Sequence, residues 1–423
     1  MKTNLAIDFT PLKRYPDFRR LWLSGLISYF GSMFTYVALP FQVKQLTGSY
    51  LAVGLIGLVE IIPLVVFGLY GGVLADHMDR KRMIWATEFA ALFLSTILLI
   101  NSLLPSPKLA VIYIVAALFS AVDGLQRPSA DAILPRLVEH KDLPAASALM
   151  SLRWQMGMIT GPSLAGVLIS IAGVSAGFIL DILTYFLALF ILIRVKNVPP
   201  MKESEKPSFS SLVAGVKYAT SRKDLMGTYL VDLAAMFFAM PTALFPFWAE
   251  QVGAPWALGL FYAAGTIGSI LVTLTSGWVK SYTKHGRAIF LAALGWGVAI
   301  TLAGVTNNLF LTLLFLILAG ASDMVSALFR STLWNQSIPD EFRGRLAGVE
   351  LISYSVGPLG GQTRAGFTAE RTSLRTSVVS GGLLCIGFVT LFTALLPDFR
   401  KYDSETNKFA VLEAKKRKTA PNN

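Results

Sequence analysis

The stretch Gly71–Arg82, GGVLADHMDRKR, decides the fold of this chain. About 25 apolar residues precede it and another apolar run follows at once, which is typical of a short charged loop between two membrane-spanning helices. The basic cluster Arg80, Lys81 and Arg82 predicts that this loop is cytoplasmic, because basic residues in short loops stay inside. The chain is therefore expected to cross a bilayer more than once.

The composition extends this prediction to the whole chain. Of 423 residues, 54% are hydrophobic and 15% are charged, whereas soluble domains carry about 25% charged residues. The net charge of +12 does not indicate a nucleic-acid partner, since nearly all basic residues fall on one side of the predicted helices. The exceptions are Lys44, Lys108, Arg371 and Arg375 on the other side, and Arg127, Arg153 and Arg364 within helices.

Apolar runs of bilayer-spanning length predict an all-α membrane protein with about twelve helices. They cover 21–42, 51–75, 84–104, 109–130, 146–170, 175–195, 225–248, 256–279, 288–305, 310–329, 346–367 and 376–396. The first run is too long for a signal-peptide core and is expected to be retained. An even number of helices places both termini in the cytoplasm, and the basic run Lys415–Lys418 agrees.

The helices group into two six-helix halves, 1–195 and 225–397. A cytoplasmic linker, 196–224, joins them and contains a predicted surface helix over 209–219, and 398–423 forms a basic cytoplasmic tail. The halves show a weak internal repeat, as duplicated transporter halves do. Corresponding positions are Gly54 and Gly259, Gly72 and Gly277, Asp123 and Asp323, and Gly161-Pro162 and Gly357-Pro358.

The opening loop resembles the signature between helices 2 and 3 of the major facilitator superfamily, a large family of secondary transporters. Gly72, Asp76, Arg80 and Lys81 match the family pattern, while Asp79 stands where the pattern has a second glycine. Asp76 lies at a helix end where the dipole disfavours an acid, so it needs a partner. The resemblance implies that this partner lies across the interface between the halves and that the loop is a conformational latch. The alternative is a basic loop that only sets topology.

A second motif lies in the fifth predicted helix, where Gly157, Gly161, Pro162 and Gly166 occur together. Small residues let helices approach closely and proline bends them, so one interpretation is a tightly packed, kinked helix. The motif also resembles the Gly-Pro signature of exporters in the superfamily, which is taken to seal a leak path. The earlier glycines of that signature are missing, because Arg153 and Trp154 occupy that turn. The resemblance favours export over import.

Ionisable residues at membrane depth are the strongest functional indication, because each costs about 2.5–3.5 kcal/mol at a helix centre. Asp123 and Arg127 are spaced to pair on one helix face. Glu88, Glu350 and Arg364 are expected to reach the interface from helix ends. Proton carriers are predicted in the order Glu60, Asp232 and Asp181, and Arg153 and Arg127 are possible counter-ions or anchors for an anionic substrate. The full candidate set for proton or substrate binding is Glu60, Asp181, Asp232, Arg153, Asp123, Arg127 and Asp323. For each acid the alternative is a structural ion pair.

Enzyme and metal signatures are weak. Gly173–Gly177 matches G-x-S-x-G, but it falls between two apolar helices rather than between a strand and a helix. The sequence contains no G-x-x-x-x-G-K-[ST] motif for ATP. Its three histidines fall in predicted loops without metal spacing, and Cys385 is the single cysteine. We expect no enzymatic activity, no metal and no cofactor, with the proton gradient as the energy source.

Residues of about 10–400 resemble the branch of the superfamily that contains siderophore exporters and macrolide-efflux-like proteins. The segments that carry this resemblance are Leu12–Arg19, 71–82, 103–114 and 259–277. It implies a monomeric, proton-coupled antiporter in the cell inner membrane that exports an enterobactin-like siderophore or another hydrophobic small molecule. Aromatic residues of the first and seventh helices would line its cavity, unless they face lipid. The alternatives are a multidrug or macrolide efflux pump and, in another class, a non-transporting membrane sensor or assembly protein.

Overall fold

The computed structural model describes residues 8–199 and 216–419, and within these ranges every regular element is helical. Twelve long helices account for the predicted spans. They are α1 Pro16–Thr47, α2 Tyr50–His77, α3 Arg80–Ser102, α4 Leu109–Leu137, α5 Leu143–Ala172, α6 Val174–Leu192, α7 Lys223–Ala239, α8 Leu258–Leu274, α9 His285–Val305, α10 Leu309–Ser337, α11 Asp340–Arg371 and α12 Leu374–Leu395.

Ten stretches of the described chain are long and apolar enough to cross a membrane, and one of them, Ala145–Leu192, covers α5 and α6 together. Helix α11 falls outside this set because polar and charged residues along its whole length lower its mean hydropathy. Its first turns, DEFRGR, precede the apolar span predicted at 346–367. The prediction of an all-α bundle of twelve membrane helices in two pseudo-symmetric halves is confirmed.

The seventh predicted span, 225–248, is not one continuous helix. Helix α7 ends at Ala239, and a short helix, Phe245–Gln251, follows after Met240 and Pro241. Met240 is extended, with φ −105° and ψ 93°, which is the conformation favoured in the residue before a proline, and α7 ends there. The linker helix predicted at 209–219 lies largely outside the described residues, although 216–221 is helical.

The described residues form two compact units. Unit 1 comprises those of Met1–Gly48, Val59–Pro207 and Pro255–Ala263, and unit 2 those of Ser49–Leu58, Ser208–Ala254 and Ala264–Asn423. In unit 1, α1 packs against α5 and α6, and α3 packs against α4 and α6. In unit 2, α7 packs against α11 and α12, and α9 packs against α10 and α12. Each pairing in unit 1 recurs six helices later in unit 2, as expected for duplicated halves.

The predicted basic tail contributes to the packing of unit 2. Phe399 is fully buried, and its ring lies against Gly227 of α7. The tail continues to a last helix, α13, Lys408–Thr419. At its start Asn407 donates a 3.4 Å hydrogen bond to Asp224, whose carboxylate forms a buried ion pair with Arg222 at 2.7 Å. Between these contacts, the backbone N–H of Glu405 lowers the pKa of the Asp403 carboxyl.

Candidate proton and substrate site

The loop after α2 shows why this chain departs from the family pattern at Asp79. The Asp79 carboxylate accepts a 2.9 Å hydrogen bond from the backbone N–H of Arg82 and so caps the start of α3. Arg80 is buried, and its backbone N–H donates to Val198 O at 3.1 Å. The environment of Gly72 and the side chain of Asp76 lie outside the described set, and Lys81 is half-buried. The latch role of the loop stays a prediction.

The glycine motif of the fifth span lies at helix contacts within unit 1. An added Cβ at Gly157 would overlap the ring of Tyr29, and one at Gly161 would overlap Met33, so both glycines bring α5 onto α1. Gly166 lies against the backbone of Gly259 at the start of α8. Pro162 is buried inside α5. The motif is thus a close-packed surface, and its sealing role stays a prediction.

The repeat glycine Gly54 has an equivalent environment in unit 2. An added Cβ there would lie 3.0 Å from the Cα of Gly366 on α11. The hydroxyl of Thr363 donates to Gly54 O at 3.0 Å. One turn beyond, the Glu370 carboxylate accepts 3.0 Å bonds from Ser49 Oγ and from the Leu51 N–H. The two glycines that the sequence repeat aligns therefore both lie where helix backbones approach.

Asp123 and Arg127 pair on one face of α4, as their spacing predicts. Their closest charged atoms are 2.8 Å apart, and the two side chains are 47% and 42% exposed within unit 1. Such exposure at membrane depth indicates that the pair faces a polar space rather than lipid. Glu60 of α2 is half-buried and close enough to Asp123 for the two carboxylates to repel each other. Its backbone carbonyl accepts a 2.7 Å bond from Ser120.

Arg153 belongs to the same polar region. Its guanidinium lies across Gly25 of α1, where an added Cβ would overlap it, and its positive charge acts on Glu88 of α3. The next residue, Trp154, stacks on Tyr29 with ring centroids 6.1 Å apart. A cation beside two stacked aromatic rings is suited to a planar, anionic solute.

Glu88 was expected near a helix end, and this expectation is wrong. The side chain is only 6% exposed, and its Oε1 accepts hydrogen bonds from Ser28 Oγ at 3.1 Å and Gln126 Nε2 at 2.8 Å. Glu88 lies on the face of α3 that packs inside unit 1, which apolar run length alone cannot reveal. The Glu350 side chain lies outside the described set, and Arg364 is half-buried, with Nη1 3.4 Å from Ser377 O.

Asp181 of α6 is fully buried in unit 1. Its Oδ2 accepts hydrogen bonds from Thr35 Oγ1 of α1 at 2.5 Å and from Ser95 Oγ of α3 at 2.6 Å. In the described chain no cation pairs with this carboxylate, and its other oxygen has no hydrogen-bond partner. Of the predicted candidate acids, Asp181 has the least exposed side chain.

In unit 2 the candidate acids are paired with a residue that the sequence argument placed outside the helices. Arg330 lies within α10, is only 9% exposed, and forms an ion pair with Asp232 of α7. Asp323, two turns earlier on α10, lies 3.9 Å from the same guanidinium. Asp232 is therefore a structural ion-pair partner and not the unpaired acid that was predicted. The pattern Asp-x₆-Arg on one helix face was the available signal.

Four of the nine aromatic residues of the first and seventh helices that were predicted as cavity lining belong to the core. Phe34 of α1 and Phe245, Phe247 and Trp248 after α7 are each less than 9% exposed. They pack inside their own units and cannot line a cavity without moving. The other five are half-buried or exposed, and one of them, Tyr29, borders the polar region around Arg153.

Comparison with known proteins agrees with this architecture. The family model described as "Transmembrane secretion effector" matches residues 6–417. Proteins named enterobactin exporter EntS, from Shigella dysenteriae serotype 1 (strain Sd197) and Escherichia coli O1:K1 / APEC, are 28% identical over 405 residues, which is 95% of this chain and 97% of each relative.

Solved transporters share the fold at much lower identity. A POT family transporter in complex with 5-aminolevulinic acid aligns with a TM-score of 0.74 and 12% identity over 91% of this chain and 97% of that one. A bacterial homologue of the iron transporter ferroportin in an inward-facing state aligns with a TM-score of 0.68 and 15% identity over 91% and 98%. The family match over nearly the whole chain and the twelve-helix repeat together show that this chain belongs to the transmembrane secretion effector family of the major facilitator superfamily.

Proposed function

We propose that this chain is a proton-driven exporter of an enterobactin-like siderophore, or of a related hydrophobic small molecule, across the cell inner membrane. The observation that carries the proposal is the 28% identity over 95% of the chain to proteins named enterobactin exporters. In this proposal both termini are cytoplasmic, the transporter acts as a monomeric antiporter, and no cofactor is needed. In this mechanism the transporter alternates between two states, and protonation biases the equilibrium between them.

The polar region of unit 1 supports an anionic, aromatic substrate. Arg153 supplies positive charge, since Arg127 is already paired with Asp123, and the Tyr29–Trp154 stack supplies flat apolar surface. Catecholate siderophores combine both properties, whereas macrolides lack aromatic acids. Replacing Arg153 with Gln is therefore expected to reduce export of a catecholate more than export of a macrolide.

The test is efflux from cells that lack their own siderophore exporter and produce enterobactin under iron limitation. Secretion that depends on this chain and stops with a proton uncoupler supports the proposal. Macrolide resistance without siderophore secretion moves the protein to drug efflux. Absence of both, with the protein folded in the membrane, refutes transport of either class. A variant with Gly265→Ala serves as a matched control, because an added Cβ there meets open space.

A further inference from the structure

Two buried carboxylates occupy successive levels of one polar column in unit 1. At the first level, Ser28 of α1 donates to Glu88 of α3. At the second level, Thr35 of α1 and Ser95 of α3 donate to Asp181 of α6. The step from Ser28 to Thr35 equals the step from Glu88 to Ser95, two helical turns or about 10 Å. A hydroxyl of α1 therefore donates to a buried carboxylate at both levels, with the acid on α3 at the first level and on α6 at the second.

Glu88 at the first level and Asp181 at the second level differ in the charged and polar groups that surround them. The charge of Arg153 on α5 acts on Glu88, and Gln126 of α4 adds an amide donor. Around Asp181 the titratable and charged neighbours are Glu88 and Tyr185, and neither supplies positive charge. Glu88 Oε2 and Asp181 Oδ1 are both buried, with no hydrogen-bond partner in the part of the chain described.

An ionised carboxylate in such surroundings is costly, because burial removes its hydration without a compensating cation. Hydroxyl donors offset part of this cost, and each hydroxyl can rotate to donate or accept as the protonation state changes. Each unpartnered oxygen can carry an O–H bond without displacing an existing donor. The site therefore accommodates both the acid and its conjugate base.

We propose that Asp181 and Glu88 are the proton-carrying pair of this transporter, in place of Asp232. Glu88, beside Arg153, exchanges its proton with the substrate region, and Asp181 holds a proton deeper in unit 1. Arrival of H⁺ forms an O–H bond on a carboxylate oxygen, and departure returns the proton to water. Asp232 is excluded because Arg330 already pairs with it. This inference rests on the proton coupling proposed above.

The first experiment uses purified protein in liposomes with enterobactin as the probe. We compare accumulation driven by an imposed pH gradient with exchange of labelled for unlabelled enterobactin at equal pH. Asp181→Asn and Glu88→Gln are expected to abolish gradient-driven accumulation and keep exchange, because exchange needs no net proton movement. Asp181→Glu should restore part of the accumulation. If wild type exchanges but never accumulates, proton coupling fails. If wild type and Asp181→Asn accumulate equally, this inference is overturned and the proposed function stands.

A second experiment tests the hydroxyl donors. Thr35→Val and Ser95→Ala each remove one donor to the Asp181 carboxylate and are expected to move the pH profile of accumulation upward by about one pH unit, since one unit corresponds to 1.4 kcal/mol and a bond to a charged group is of that order. Thr184→Val is the matched control, because that hydroxyl donates to the backbone carbonyl of Asp181 and not to its carboxylate. Equal profiles for Thr35→Val and Thr184→Val contradict the proposal.

A third measurement needs no substrate. Infrared difference spectra of the reconstituted protein between acidic and basic pH contain the carbonyl stretch of any carboxylic acid that gains a proton. The band is expected to weaken in both Asp181→Asn and Glu88→Gln. An unchanged band in both variants overturns the inference even if enterobactin proves to be the wrong substrate.

Discussion

Replacement of Gly259 by Ala tests the close approach of α8 to α5 within unit 1. An ideal Cβ at Gly259 would lie 2.3 Å from Ser163 O, whereas ordinary van der Waals contacts begin at 3.4 Å. The α5 backbone must therefore retreat by roughly 1 Å, and a helix backbone cannot rotate away as a side chain can. From the other side, an added Cβ at Gly166 would lie 2.2 Å from Gly259 N.

The expected loss of stability follows from two opposing contributions. Overpacking costs about 1–3 kcal/mol, and Ala in place of Gly in a helix returns about 0.8–1.0 kcal/mol. The net destabilisation is therefore up to about 2 kcal/mol, which lowers the ratio of folded to unfolded protein by a factor of up to about 30. A Cβ added at Gly265 on the same helix meets open space. Gly265→Ala should therefore gain the higher helix propensity of alanine without a cost from overpacking.

The assay is thermal unfolding in detergent, followed by retention of the monodisperse peak in size-exclusion chromatography. Gly259→Ala should unfold at a lower temperature than wild type, and Gly265→Ala at the same or a higher temperature. In liposomes, Gly166→Ala should also increase passive proton leak, if the motif seals α5 as the family resemblance implies. Equal unfolding temperatures for Gly259→Ala and Gly265→Ala would refute the close-packing argument.

Three further changes test other parts of the structure. The backbone N–H of Leu51 lowers the pKa of Glu370, so this hydrogen bond stabilises the protein above the ordinary carboxyl pKa and its contribution is lost as the pH falls. Protection of the Leu51 amide against hydrogen exchange, relative to its intrinsic exchange rate, should therefore fall in acid, and Glu370→Gln should lower that protection at neutral pH too. Phe399→Ala should destabilise unit 2 by about 3–5 kcal/mol, measured by thermal unfolding, and unchanged stability would contradict the docked tail. Arg330→Gln should cost about 3–5 kcal/mol by leaving Asp232 buried and unpaired, and adding Asp232→Asn should recover part of that loss; strict additivity of the two changes would contradict the pair.

The helices were predictable because apolar run length reports directly on membrane crossing. The ends of the helices were less predictable. Helix α4 continues to Leu137, beyond the predicted 130, and α11 begins at Asp340 rather than 346. Charged helical turns outside the hydrocarbon region form their backbone hydrogen bonds as readily as apolar turns inside it. Hydropathy therefore does not mark where a helix ends. Pro241 is visible in the sequence as a helix-breaking residue, but the apolar composition around it led to the prediction of one continuous span.

The polar residues were predictable in kind but not in partner. Asp123 and Arg127 pair because they share a helix face, which spacing alone indicates. Glu88 and Arg330 were missed because their partners lie on helices distant in sequence, and hydropathy gives the depth of a residue without its direction. For Glu88, the equal steps from Ser28 to Thr35 and from Glu88 to Ser95 were the hidden signal. Such a pattern becomes informative only when α1 and α3 are known to border the same acids.

The two repeats have kept their helix pairings and diverged in their buried charge. Helices α9 and α12 correspond to α3 and α6, and neither contains an acidic residue. Their counterparts carry Glu88 and Asp181, so the duplicated scaffold holds buried acids at this helix contact in the first repeat alone. In the second repeat, Asp232 is matched by a buried arginine. A compensated pair keeps its charge through a transport cycle, whereas an acid without a cation can change its protonation state at lower cost. Proton coupling should therefore depend on substitutions in the first repeat and tolerate charge-neutral replacement of the pair in the second.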